Sequence, residues 1–183
     1  MPPFLTLFTR HMASRPQLYA NLLASIAAQT DQDFEHVVTV DETGQGFAWA
    51  NAQFVEHMAD CHGDYMQQLD DDDVFATPEA VALLHAAALA TDPDIIVFRV
   101  HHCQLGILPD ASVWGKQFIY SHIGSGDMIV KRAIWNRHLS AYQSGVYESD
   151  WHFMRELGAH GYRVQWLDKL LIRCQRISHG KGE

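Results

Sequence analysis

The sequence predicts an α/β/α sandwich with a mostly parallel central sheet. Three observations point there. Short apolar runs alternate with stretches of helical period through the first half of the chain. Two of those runs end in acidic residues, at Asp41 and at Asp70, as strands do when their carboxyl ends line one edge of a sheet. The 183 residues, 48% apolar and 19% charged, suffice for one domain with a real core.

The elements follow in order. "FLTLF" at 4–8 opens the sheet. Ser14-Arg15-Pro16-Gln17 fits a helix start with Ser as N-cap, Pro in the first turn and Gln at N3. Leu18, Leu22, Leu23 and Ile26 then recur at helical spacing until "QTDQD", and "HVVTVD" at 36–41 reads as a buried strand, completing a β-α-β unit. A second helix over 47–60, carrying Phe47, Phe54 and Met58, leads into the strand "YMQQL", which stops at four consecutive aspartates, Asp70 to Asp73. Thr77-Pro78 predicts a third helix with Thr at N-cap and Pro at N1. "IIVFRV" at 95–100 is a strong strand running on toward Gly106, and residues 105–126 read as a loop or hairpin over a site. "MIV" at 128–130 enters a helix over 133–137. "ESDWHFMRELGAHG" reads as a helix, and "YRVQWL" and "LLIRC" as two final strands.

Charge narrows the functions. A net charge of −9 disfavours a nucleic-acid surface, which draws on clustered Lys and Arg, and an anionic ligand would need a cation to help hold it. The longest apolar run, 80–90, is interrupted by His85 and is too short to span a bilayer. "MPPFLTLFTR" has neither the basic n-region nor the apolar length of a secretory signal, so the cytoplasm is the default compartment. Cys61, Cys103 and Cys174, an odd number without a C-x-x-C pair, read as buried reduced thiols. The twelve histidines scatter along the chain.

The aspartate run asks for a cation. In extended chain Asp70 and Asp72 share a face about 7 Å apart, where their repulsion at an effective dielectric near 20 is about 2 kcal/mol. Hard divalent ions relieve such crowding, typically through one or two carboxylates plus a substrate diphosphate. The plainer alternative is a solvated acidic turn ahead of a helix. An EF-hand loop counted from Asp70 fails, with Phe75 and Val81 where Gly and Glu are needed. Asp70, Asp72 and Val74 match the D-x-D-x-[TV] opening of haloacid-dehalogenase-like phosphatases, but a β-α-β-α precedes them and no adjacent acidic pair follows. Glycine-rich phosphate loops are absent after the first strand, the first glycine being Gly44, which disfavours dinucleotide dehydrogenases, P-loop proteins and sugar nucleotidyltransferases. No cysteine or serine sits in a recognisable nucleophile turn.

A longer pattern fits better. "LTLFTR" with "LYANLLASIAAQTDQDFEHVVTVDET", then "WANAQFVEHMADCHGDYMQQLDDDDVFATPEAV", then "DMIVKRAIW" and "YESDWHFMRELGAHGYRVQWL", resemble in order the family 2 glycosyltransferases of GT-A fold. The resemblance covers nearly the whole chain. It implies a GT-A-like, Rossmann-type α/β/α domain over residues 1–183, with 1–97 binding a nucleotide-diphospho-sugar donor and 98–183 carrying the acceptor and catalytic side. It implies a hexosyl- or related transferase dependent on Mn²⁺ or Mg²⁺ through a D-x-D motif and inverting at the anomeric carbon. Position by position, it makes Asp72 a metal ligand, Asp70 a ribose or metal contact and Asp73 their support. Asp41 and Glu42 would contact the nucleotide base, Thr9 and Arg10 would border the nucleotide, and Asn51 would bind substrate. Asp150, in "ESDW", takes the place of the catalytic base, with Glu148 a second candidate for that work. His179, after the last strand, stands where related enzymes place a metal-binding histidine, although a terminal histidine can simply be exposed.

Trp114 and Tyr120 are candidates to stack on an acceptor sugar or to anchor packing. His101 and His102 lie on a strong strand and read as structural. The pattern departs from the family at "DETG" in place of D-D-G-S, at Ala50 in place of a basic residue, and at E-S-D in place of E-D. The acceptor, a glycan, lipid carrier or protein, is left open, and a lipid acceptor would draw the protein to a membrane surface. A domain that binds nucleotide-sugar or metal without turnover is the alternative from another class.

Overall fold

The computed structural model describes residues 1–143 and 145–175. In chain order the described residues form β1 (Leu5–Met12), α1 (Pro16–Ala27), β2 (Phe34–Asp41), α2 (Phe47–Glu56), β3 (Tyr65–Gln68), β4 (Asp73–Phe75), α3 (Ala80–Thr91), β5 (Ile95–His102), β6 (Gly106–Leu108), β7 (Met128–Lys131), α4 (Arg132–His138), α5 (Ser140–Gln143), α6 (Ser149–Ala159) and β8 (Val164–Cys174). The strands make one sheet in the order β2-β1-β3-β7-β5-β8-β4, with β6 on β5.

The sheet is mixed, with its longest ladders parallel as expected and shorter antiparallel ones among them. β1, β2 and β3 are parallel, as are β5 and β8, but β7 runs antiparallel between β3 and β5, and β4 runs antiparallel to β8. No long crossover helix separates β5 from β7. The chain turns back through the β5–β6 hairpin and a loop, so β7 enters in the reverse direction.

Side chains alternate across the sheet and supply a core on each face. Leu7, Ile96 and Phe98 pack with Leu22 and Ile26 of α1 and Val81 and Leu84 of α3. Phe8, Ile95 and Val97 pack on the other face with Phe54 of α2, Trp135 of α4, Tyr142 of α5 and Phe153 of α6. Trp135 stacks on Phe153 with ring centroids 4.0 Å apart. Burial on both faces explains why these strands read as unbroken apolar runs.

Gly63, just before β3, is required by close approach. A Cβ there would lie 2.4 Å from the backbone nitrogen of Thr6 and 2.7 Å from the carbonyl carbon of Leu5. Its own N–H donates to the Thr6 hydroxyl at 2.8 Å, tying β3 to β1 in register.

Local details differ from the sequence reading. α1 has Arg15 rather than Ser14 at its N-cap, and α3 begins after Glu79, so Thr77 and Pro78 form the preceding turn. The helix expected over 47–60 is α helical to Glu56 and ends in a 3-10 turn, His57–Asp60. The two expected final strands are one, β8, because register shifts opposite Phe98, Arg99 and Val100 absorb the polar Asp168-Lys169 as an irregularity rather than a break. Of the cysteines only Cys61 is buried, with burial pushing its thiol up to about 12, whereas Cys103 is exposed on the β5–β6 turn and Cys174 is half-buried. Among the described residues no helix is long and apolar enough to cross a membrane.

Candidate functional site

β1, β2, β3, β5 and β8 all point their carboxyl ends to one edge of the sheet, where a cleft of about 560 Å³ opens. The turn from β3 to β4 crosses the middle of this edge and brings Asp70, Asp71, Asp72 and Asp73 into the cleft wall. Asp41 and Asp150 line the same cleft. Residues far apart in sequence thus meet because their strands stop at the same edge.

The four aspartates have different partners. Both oxygens of Asp70 accept from Arg10, Nε at 2.9 Å and Nη2 at 2.6 Å. Arg10 Nη1 also donates to the Asn51 side-chain oxygen at 3.3 Å, and the Asn51 amide donates to the Ser149 hydroxyl at 3.0 Å. A hydrogen-bond chain therefore runs from the acidic turn to the residue before Asp150. Asp71, only 1% exposed, turns the other way: it accepts from the Met12 N–H at 2.7 Å and from Arg15 Nη1 at 3.1 Å, with His11 Nδ1 at 3.0 Å. It fastens the β1–α1 loop to the turn.

Asp72 is left short of partners. Its Oδ2 is buried with no hydrogen bond and lies 3.6 Å from Arg15 Nη1. Burial, then the Asp70 charge, pushes its carboxyl up to about 6 against the opposing pull of Arg15. Asp73 is pushed well above the usual carboxylate range, by burial and by Asp72, Asp70 and Asp127.

Asp41 behaves in the opposite way. Its Oδ1 accepts from the N–H groups of Thr43 at 3.1 Å and Gly44 at 2.8 Å, and its Oδ2 from Gln45 at 2.6 Å. Burial works against ionisation, but the amides of this loop outweigh it and hold the carboxyl below its ordinary value.

Asp150 occupies the first turn of α6, half-buried, with Oδ1 accepting from the Trp151 N–H at 2.7 Å. Burial raises its carboxyl, opposed by that N–H and by Arg10. Facing it is a residue that the sequence reading missed. Asp127 lines the cleft at the start of β7, accepts from the Gly124 N–H at 3.0 Å, and is pushed up to about 7 by burial and by Asp150. An acid directly after two closely spaced glycines in "GSGDM" was its signal, but an irregular loop has no period to say which way a side chain faces.

Architecture places the cleft among known proteins. No family model and no curated protein sequence matches the chain. Solved structures do. TarS 1–349 from S. aureus, in complex with UDP-GlcNAc, superposes with a TM-score of 0.73 at 14% identity, covering 98% of this chain and 61% of that one. The mannosyltransferase PcManGT from Pyrobaculum calidifontis, in complex with GDP-Man and Mn²⁺, gives 0.62 at 13% identity, covering 99% of this chain and 59% of that one. A glycosyltransferase involved in glycosylation of the major capsid of PBCV-1 gives 0.54 at 12% identity, covering 96% and 95%. The chain has a GT-A-type glycosyltransferase fold. It spans about three fifths of the length of the first two of these proteins.

Within the GT-A frame the remaining expected residues divide. Arg10 and Asn51 line the cleft with Asp41, Asp70, Asp72 and Asp150. Thr9 does not: it is fully buried, donating from its hydroxyl to the Leu69 carbonyl at 2.8 Å with His36 Nε2 also at 2.8 Å. Glu42 is exposed and lies outside the cleft lining. Glu148 lines it, and His179 falls outside the described residues. Trp114 is a packing anchor, edge-on to Trp166 with the Arg99 guanidinium 3.7 Å from its ring centre, whereas Tyr120 faces the cleft. His101 is exposed on β5. His102 holds the β5–β6 turn by accepting from the N–H groups of Gln104 and Leu105 at 3.2 and 3.3 Å, and it also borders the cleft.

A divalent cation fits the acidic turn in one respect. Among the described residues no three metal-ligating side chains converge, but the buried Asp72 Oδ2 without a hydrogen bond is a carboxylate oxygen suited to a hard ion that takes its other ligands from a diphosphate and water.

Proposed function

We propose that the protein is a transferase moving a sugar, of the hexose or a related class, from a nucleoside-diphosphate donor to an acceptor hydroxyl, with inversion and with Mn²⁺ or Mg²⁺. The buried Asp72 carboxylate oxygen without a hydrogen bond carries this reading: with Arg15 no nearer than 3.6 Å and other carboxylates beside it, it gains most from a cation that an anionic donor brings. Asp72 would hold the ion, with Asp70 beside it. The ion, when bound, offsets the charge developing on the leaving diphosphate.

The chain's own groups do the rest. Arg10 orients Asp70 toward the donor, and Asn51 keeps Arg10 aligned with the start of α6. Asp150 accepts the proton of the acceptor hydroxyl as that oxygen attacks the anomeric carbon, and its raised carboxyl brings it nearer the working pH of a general base. The donor side is built from residues 1–97 and the acceptor side from the β5–β6 hairpin onward. The wider activities of TarS and PcManGT belong to longer chains, and only the ligands in their complexes, UDP-GlcNAc in one and GDP-Man with Mn²⁺ in the other, support this assignment.

Thermal stabilisation by UDP, GDP and their sugars, each with and without Mn²⁺, tests it. A ligand at about 100 times its dissociation constant adds roughly 2.7 kcal/mol, readily seen as a raised Tm. Stabilisation that needs both nucleotide and metal, and is lost in a folded Asp72→Ala variant, is the expected result. An unchanged metal dependence in that variant would remove Asp72 from the site.

A further inference from the structure

The acceptor side of the cleft has an unusual lining. Tyr120, 51% exposed, meets Trp151 edge-on at 5.5 Å, and Tyr147, 54% exposed, meets Phe47 edge-on at 5.7 Å. All four border the cleft, and two of them bracket Asp150, Trp151 directly after it and Tyr147 three residues before. Core aromatics are buried, yet Tyr120 and Tyr147 are about half exposed and border the same cleft as the proposed base.

Charge says what those faces can receive. Among the described residues the only Lys or Arg side chains bordering the cleft are Arg10 and Arg15, and these are engaged by Asp70 and Asp71. The acidic lining includes Glu148 and Asp150, together with Asp73 and Asp127, whose carboxyls burial raises. A phosphorylated or carboxylated acceptor would enter against these carboxylates with no unengaged Lys or Arg to meet it. A purely aliphatic acceptor would leave the same carboxylates desolvated and unpaired. The ligand that suits aromatic faces interleaved with hydrogen-bond acceptors has a C–H face and neutral hydroxyl donors.

We infer that the acceptor is an uncharged sugar whose ring packs on Tyr120 beside Trp151 and directs a hydroxyl at Asp150, an inference that rests on the transferase reading above. Binding of small probes tests it whatever the natural acceptor is. Saturation-transfer NMR and tryptophan fluorescence are recorded with methyl β-glucoside, methyl α-mannoside and methyl β-N-acetylglucosaminide, against glucose 6-phosphate and glucuronate, on protein alone and with UDP or GDP plus Mn²⁺. At least one neutral glycoside should saturate, with magnetisation reaching its ring C–H protons. Tyr120→Ala should weaken it about five-fold and Tyr120→Phe should restore it, since stacking needs the ring and not the hydroxyl. The charged sugars should bind at least about ten-fold more weakly.

Equal binding of glucose 6-phosphate, or indifference to Tyr120→Ala, overturns the inference. Nucleotide binding in the same samples separates the two readings. If nucleotide and metal bind and no neutral glycoside does, the inference falls while the transferase reading stands. If a glycoside binds at Tyr120 and no nucleotide binds, the neutral-sugar site stands and the transferase reading falls.

Discussion

The β2–α2 corner and the β3–β4 turn both set aspartates at the carboxyl end of a strand, and the two use them in opposite ways. Asp41 turns its charge on three loop amides and sits below its ordinary pKa. Asp72 and Asp73 sit above theirs, with burial and each other for neighbours. An acidic residue at a strand end is therefore not a site by position. What separates them is the backbone that follows: the loop after β2 turns its N–H groups back on the carboxylate, while the turn after β3 packs carboxylates side by side. The lowered acid has loop amides for partners, and the raised acids have burial and like charge around them.

The largest test of that division concerns a raised acid outside both corners. Asp150→Asn should cut transfer by about 10²–10⁴-fold while leaving nucleotide and metal binding intact, as loss of a general base does. A variant with wild-type turnover would take Asp150 out of the chemistry. Next is Asp71, which lies in the acidic turn yet is saturated with partners like Asp41. Asp71→Ala takes the acceptor from the Met12 N–H and leaves the half-buried Arg15 only Asp72, at 3.6 Å, and should cost about 3 kcal/mol, lowering Tm by roughly 6–12 °C. A small loss in calorimetry would mean that the clasp on the β1–α1 loop is ornamental and that Asp71 belongs with its neighbours.

Asp41→Ala should cost less, about 1–2 kcal/mol, because exposed loop amides can turn to water. If chemical denaturation showed it stable and nucleotide binding abolished, the β2 corner would be a ligand site after all. The smallest effects have the opposite sign. Asp72→Asn removes a buried, crowded charge and should raise the stability of the ligand-free protein by about 1 kcal/mol near neutral pH while ending metal-dependent nucleotide binding.

The same repulsion predicts a pH slope. Asp72 titrates at about 6 and Asp127 at about 7 when folded, against 3.8 ordinarily, so between those values the folded protein binds more protons than the unfolded chain. Their contribution to stability is full below about pH 4 and is lost as pH rises through about 6–7. Asp41 and Glu35, whose folded values are lowered, act the other way, and their contribution is lost as pH falls below about 4. His36, whose buried ring is lowered to about 4, works against this slope up to about pH 6.5, but the raised aspartates outnumber it, so melts of ligand-free protein between pH 4 and 8 should show Tm falling with pH, a slope that Asp72→Asn flattens.

Sequence alone was enough for much of this. Apolar runs with acids at their ends set the strands β1, β2, β3 and β5 and the edge at which Asp41 and Asp70 meet, because burial on both faces leaves a local mark in composition. Other features are decided only when distant segments come together. The antiparallel entry of β7 depends on how a long loop closes, the pairing of Arg10 with Asp70 on two strands meeting in register, and the fates of Asp71, Asp72 and Asp127 on which cations and N–H groups fold up against them. Four adjacent aspartates are identical as letters. Hydrogen bonds and Coulomb forces act over a few ångströms in space rather than along the chain, so only the tertiary structure tells the aspartate that clamps a loop from the one whose buried oxygen lacks a hydrogen bond.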